Sequence, residues 1–135
     1  MNFINRYILL FASIAVVLST TFMLLLYNML TNKAYTGIII LSVLYAAAYF
    51  ITALLIGKKD VYEGYIGFNY HLTTYIVCML IPISLATIGY LPTYFIGQAL
   101  SIGIFWGIGL TIHFIVFLTN RKKSIKGFDK TELFE

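Results

Sequence analysis

Four long segments without a single charged residue constrain the fold of this chain more than any other feature. They cover residues 8–30, 37–56, 65–89 and 94–118, and they contain no Asp, Glu, Lys or Arg. As an α-helix, each is long enough to cross roughly 30 Å of hydrocarbon, because a helix rises about 1.5 Å per residue. The pattern predicts an all-α membrane protein, with residues 1–135 forming one small bundle of four transmembrane helices.

The composition agrees with this class. Hydrophobic residues make up 61% of the chain and charged residues only 10%, which is far from the balance of a soluble domain. The first segment follows Arg6 and superficially resembles a signal peptide. Its apolar run continues to Leu30 and offers no small-residue cleavage site, so we expect a retained membrane anchor.

Basic residues are distributed very unevenly between the two sides of the predicted bundle. Arg6, the loop between the second and third segments, and the tail of residues 119–135 carry eight of the nine basic residues, and Lys33 alone falls on the opposite side. Short loops rich in Lys and Arg remain in the cytoplasm. We therefore expect a multi-pass protein of the bacterial inner membrane with both termini in the cytoplasm (N-in, C-in).

The basic tail also suggests what the protein contacts outside the hydrocarbon. Arg121, Lys122 and Lys123 follow the fourth segment directly and are expected to contact anionic lipid headgroups or a partner protein. The formal net charge of +4 is explained by this topological bias. It does not indicate binding of nucleic acid.

Several classes of function lack the residues that they need. A proton-coupled transporter would be expected to carry an intramembrane carboxylate, and the four segments contain none. There is no Ser-His-Asp set, no phosphate-binding glycine loop and no Cys and His cluster at zinc spacing. The one cysteine, Cys78, lies inside the third segment, so disulfides are not part of the design. We therefore expect no enzymatic activity.

The two histidines of the chain lie at similar depths in the third and fourth segments. His71 follows Glu63 by eight residues, and His113 precedes Arg121 by eight residues. At 1.5 Å per residue, both imidazoles lie about 12 Å from charges on the predicted cytoplasmic side. We expect them to be neighbours on adjacent antiparallel helices.

Two interpretations of this pair compete. In the structural one, each imidazole donates a hydrogen bond to a facing carbonyl, to Tyr75 or to the other histidine, and so holds the two helices in register. In the functional one, His71 and His113 bind a metal ion or a haem iron, since neutral imidazole is a common ligand. We favour the structural interpretation because two ligands alone make an incomplete metal site. No cofactor is therefore predicted, and haem or metal stays as the alternative.

A strip of small residues lies on the same helix as His113. Gly103 and Gly107 are four residues apart, a spacing that lets a neighbouring helix approach closely. We expect Trp106 to fill the gap beside this strip, with His113 making a polar contact between helices at the depth of His71. These residues and Tyr75 form the predicted helix-packing site.

The sequences GFNYHLTTYIV (67–77) and FWGIGLTIHFIVF (105–117) resemble the bacterial two-transmembrane-domain family, in the carboxyl-terminal half of the chain only. The matching residues are His71, Leu72, Tyr75, Trp106, Gly107, Gly109, Leu110 and His113. The resemblance implies a hairpin of two membrane helices. In that family the hairpin occurs alone or attached to sensor kinases and LytTR-type regulators, and it has no established catalytic activity. This chain departs from the pattern by adding two helices before the hairpin.

Together these features predict a small membrane protein that acts as a regulatory or accessory interaction module through helix packing and its cytoplasmic tail. Its expected partners are membrane lipid and either a second copy of the chain or another membrane or cytoplasmic protein. One alternative is a homo-oligomeric pore or small-solute channel, which would line its path with polar residues at helical spacing. Ser19, Thr20 and Thr21 do not continue into such a stripe. The other alternative is haem or metal binding through the histidines.

Overall fold

A computed structural model of the protein describes residues 6–57 and 66–126. In this part of the chain, every regular element is an α-helix. The helices are, in order, α1 (Arg6–Thr31), α2 (Tyr35–Gly57), α3 (Ile66–Thr87) and α4 (Tyr94–Lys126). All four are long and apolar enough to cross a membrane, which confirms the predicted all-α architecture with four apolar helices.

The fourth helix is longer than its apolar segment. The part of α4 that could span a membrane covers Tyr94–Val116, and the helix then continues through the basic residues to Lys126. The sequence predicted a span that ends at residue 118. The helix continues beyond it, because composition indicates where the hydrocarbon core ends and not where the helix ends. Arg121, Lys122 and Lys123 therefore belong to a helical extension. Their side chains lie outside the described residues, as do the loop of residues 58–65, with Lys58 and Lys59, and the end of the tail, residues 127–135.

Tight turns close α1 and α3. At the end of α3, the Tyr90 N–H donates to the Leu85 carbonyl at 2.9 Å, and Gly89 between them has a positive φ of 86°. A matching bond pattern closes α1, where Lys33 takes the corresponding left-handed position with a φ of 55°. In both turns the last carbonyls of the helix are satisfied by this left-handed cap.

The helices pack around a central pair, α1 and α3. The α1 helix packs against both α2 and α3, and α3 also packs against α4. This arrangement leaves the outer helices with broad apolar faces, on which Val43 of α2 is 64% exposed and Phe105 of α4 is 78% exposed. Such faces suit a surrounding apolar solvent, in which a helix does not need a polar side.

Two apolar clusters lie at opposite ends of the bundle. The first joins the start of α1, the end of α2 and the start of α3, and its buried members are Ile8, Phe11, Ile56 and Tyr70. The second joins the end of α3 to the start of α4, and its buried members are Ala86, Leu91 and Phe95. The middle of the bundle, between these clusters, holds the polar contacts described next.

Candidate functional site

The predicted small strip of α4 is turned toward α3. A Cβ atom added at Gly103 would overlap the side chain of Met79, and one added at Gly107 would lie 3.2 Å from the hydroxyl oxygen of Tyr75. A Cβ at Gly109, by contrast, would meet open space. Gly103 and Gly107 therefore allow side chains of α3 to approach the backbone of α4, while Gly109 does not take part in the contact.

Tyr75 makes the polar contact between α3 and α4. Its hydroxyl donates a hydrogen bond to the Gly103 carbonyl at 3.2 Å, and its ring meets Trp106 edge-on with the centroids 5.8 Å apart. The Gly103 carbonyl can accept this bond in addition to its helical one, because a carbonyl oxygen has two lone pairs. The missing side chain at Gly107, one turn further along α4, leaves room for the hydroxyl. This hydrogen bond links α3 and α4 at Tyr75, one of the residues of the predicted helix-packing site.

The two histidines are neighbours, and their contact is one between the imidazole rings. The imidazoles of His71 and His113 are 5.5 Å apart between centroids and nearly perpendicular, at 78°. Phe68 lies nearly parallel to His113 at 6.2 Å. In the described part of the chain, the contact between the imidazoles is a ring contact rather than a hydrogen bond. No group of three or more His, Cys, Asp or Glu side chains that could hold a metal ion occurs among the described residues.

A second polar contact, which the sequence interpretation missed, lies in the middle of α1, α2 and α3. The hydroxyl oxygen of Ser19 is 2.8 Å from that of Tyr45 and 2.9 Å from that of Tyr49. The sulfur of Cys78 is 3.4 Å from the Tyr45 hydroxyl and 3.8 Å from the Tyr49 hydroxyl. These four residues form a closed set of contacts, which we call the hydroxyl–thiol ring.

The members of the hydroxyl–thiol ring can pair all of their hydrogen-bond donors with acceptors of the same ring. Each member has one donor hydrogen, so Cys78 can donate to Tyr49, Tyr49 to Ser19, Ser19 to Tyr45 and Tyr45 to Cys78 in one consistent direction. The Tyr49 hydroxyl also lies 3.4 Å from the Ala15 carbonyl, which offers a second acceptor. Internal pairing matters here because a buried polar group without a partner costs about 1–3 kcal/mol.

Local packing holds the ring members in place. Tyr45 and Tyr49 are four residues apart and so share one face of α2. The Tyr45 ring stacks on Phe22 of α1 at 4.2 Å and meets Tyr49 edge-on at 5.0 Å. Ser19 is only 2% exposed. The sequence held one signal for this ring. Two tyrosines lie four residues apart in a charge-free segment, and a serine and the one cysteine lie near the middle of other segments.

A cavity of about 270 Å³ lies beside the ring, and all four helices contribute to its wall. Three ring members, Ser19, Tyr45 and Cys78, form part of the wall. The rest is mostly apolar or aromatic and includes Phe22, Met23, Met79, Phe95, Ala99 and Trp106, with Gln98 as a further polar residue. The cavity is thus a largely apolar space with hydrogen-bonding groups next to it.

Pro82 adds a backbone acceptor near this cavity. It lies inside α3 and is part of the cavity wall, as is Cys78 one turn earlier. Proline has no N–H, so the Cys78 carbonyl does not receive the helical hydrogen bond that position 82 would otherwise donate.

Comparison with protein-family models, with curated proteins and with solved structures finds no match for this chain. The resemblance of its carboxyl-terminal half to the two-transmembrane-domain family stays a prediction.

Proposed function

We propose that the protein is a four-span inner-membrane protein with both ends in the cytoplasm, and that it acts as an accessory interaction module for another protein. The observation that carries this proposal is the continuity of α4. One helix runs from Tyr94 in the bundle to Lys126 in the basic region.

This continuity gives the basic residues a mechanical connection to the bundle. The ten helical residues after the span at Val116 extend about 15 Å beyond it, since an α-helix rises 1.5 Å per residue. The same helix contacts α3 through Gly103 and Gly107. Binding of the basic end of α4 to a partner or to an anionic lipid surface would therefore act directly on the contact between α3 and α4.

The proposed orientation and location rest on the charge distribution. By sequence, eight of the nine basic residues flank the four apolar segments at the ends that an alternating arrangement of the helices puts on one side. In a bacterial inner membrane this side faces the cytoplasm, where anionic lipid attracts basic segments. The expected partners are therefore lipid headgroups and a membrane or cytoplasmic protein, which can be a second copy of the chain.

We also propose that α3 and α4 correspond to the hairpin of the two-transmembrane-domain family. Five of the matching residues support this, because they meet at the α3–α4 contact: His71, Tyr75, Trp106, Gly107 and His113. The pore and haem alternatives have no comparable support. The cavity wall is largely apolar, and the polar groups of the hydroxyl–thiol ring bond to one another.

The test places a photo-crosslinking amino acid at Phe105 in cells, on the apolar face of α4. We expect a discrete protein adduct that is lost in Thr119→Pro, because proline interrupts the helix between the span and the basic residues. Thr119→Ala is the matched control, since it removes the same hydroxyl contact with the Ile115 carbonyl and leaves the helix continuous. Adducts with lipid alone, or the same protein adduct in both variants, would reject the proposal.

A further inference from the structure

We propose that the cavity beside the hydroxyl–thiol ring is a binding site for a small phenol or apolar alcohol, that is, an apolar molecule with one hydrogen-bond donor. The site is separate from the basic end of α4 and does not depend on the interaction proposed above. It would give the protein a ligand that reaches it from the membrane.

The size and wall of the cavity define the apolar part of this ligand. Its volume is about 270 Å³, whereas a cavity of about 150 Å³ lined by apolar side chains stays dry and binds benzene. One substituted ring therefore fits. The aromatic side chains of Phe22, Phe95 and Trp106 are part of the wall and offer edge and face contacts to such a ring.

The donors and acceptors of the hydroxyl–thiol ring define the polar part of the ligand. The hydroxyl–thiol ring has four donor hydrogens and can use all four in its own contacts. Its hydroxyl oxygens keep unused lone pairs, because each accepts one bond and can accept two. The ring can thus accept a further hydrogen bond without breaking one of its own, but it cannot donate one. The donors in the cavity wall outside the ring are the Gln98 amide and the Trp106 indole N–H. At the ring itself, a ligand that carries an O–H is favoured over an ether or a ketone of the same shape.

The backbone of α3 supplies another acceptor of the same kind. The Cys78 carbonyl lacks its helical donor because position 82 is proline, and both residues line the cavity. A ligand hydroxyl that donates to this carbonyl or to the oxygens of Ser19 and Tyr45 satisfies an acceptor in an apolar surrounding. Such a bond contributes more to affinity there than it does in water.

The protein carries its own reporter for this site. Trp106 is the only tryptophan in the chain, and it forms part of the cavity wall. A brominated ligand that enters the cavity will quench the fluorescence of this residue by contact. No label is required, and the full chain can be used in lipid nanodiscs.

The experiment titrates the full chain with 4-bromophenol and with 4-bromoanisole, which has the same ring but a methyl ether in place of the hydroxyl. We expect saturable quenching by 4-bromophenol and an apparent affinity about tenfold lower for 4-bromoanisole, which cannot donate to the acceptors. Quenching that rises linearly with either probe would mean partition into lipid alone and would overturn the site. Saturable quenching with equal affinities would overturn the donor requirement.

Two variants on α4 provide the structural control. Ala99 is buried in the cavity wall, so Ala99→Leu is expected to narrow the cavity and weaken saturable quenching. Gly97 faces open space, so Gly97→Leu adds bulk to the same helix outside the cavity and is expected to bind like the unmodified protein. If Ala99→Leu does not fold, the comparison of the two probes on the unmodified chain still decides the proposal. Unchanged saturable binding in a folded Ala99→Leu variant would overturn it.

Discussion

The Tyr75 hydroxyl reaches the Gly103 carbonyl at 3.2 Å through the space left by the missing side chain of Gly107. This interaction explains why a tyrosine on α3 faces Gly107 on α4, whereas Gly103 makes room for Met79. Hydrogen bonds between membrane helices contribute only about 0.6 kcal/mol on average, so close packing must supply much of the stability of this contact.

This relationship predicts that Gly107→Ala destabilises the protein relative to Gly109→Ala. Both substitutions improve the helix propensity of α4 equally. Only the Cβ at position 107 meets the Tyr75 hydroxyl, at 3.2 Å, so this hydroxyl must shift by a few tenths of an ångström and its hydrogen bond to the Gly103 carbonyl is weakened. We expect a difference of about 1 kcal/mol in the free energy of unfolding, measured in bicelles. Equal stabilities would show that the close approach does not matter.

The histidine contact predicts a weak energetic coupling. Because the imidazoles of His71 and His113 meet edge to face at 5.5 Å, a double-mutant cycle with alanine at both positions should give less than about 1 kcal/mol. The cycle is measured by unfolding with a chelator present and again with zinc or haem added. Coupling that becomes large only with the added ligand would favour the metal or haem interpretation.

Ser19→Ala is expected to destabilise the bundle by about 1–3 kcal/mol, because it leaves the Tyr45 and Tyr49 hydroxyls without their shortest contact. Ser13→Ala on the same helix is the matched control. Ser13 is exposed, and its hydroxyl donates only to the Leu9 carbonyl one turn earlier. Equal unfolding free energies for the two variants would contradict a stabilising role for the hydroxyl–thiol ring.

The proposed orientation is checked by reporter fusions in bacteria. Reporters after Glu135 and in the loop of residues 58–65 should give cytoplasmic signals, and one at Lys33 should give a periplasmic signal, because the basic residues concentrate on one side. A periplasmic signal from the fusion after Glu135 would contradict the arrangement with both ends inside.

Charge-free length was enough to predict four apolar helices, and residue counting was enough to predict that His71 and His113 are neighbours. Sequence could not predict the hydroxyl–thiol ring. In a soluble helix the polar side shows which face points outward, but these helices are apolar nearly all round, so no such pattern orients Ser19 or Tyr45. Their meeting depends on α1 lying between α2 and α3, and this packing order leaves no trace in hydropathy.

The hydroxyl–thiol ring fastens α1, α2 and α3 to one another, and α4 contributes no member to it. The fourth helix is held instead through its own glycine strip, Gly103 and Gly107, which faces α3 and carries one polar bond, from Tyr75 to the Gly103 carbonyl. The cavity has walls on both sides of this boundary, since Ser19 and Cys78 belong to the fastened helices and Trp106 belongs to α4. A tilt of α4 against α3 would therefore change the width of the cavity without separating the members of the ring.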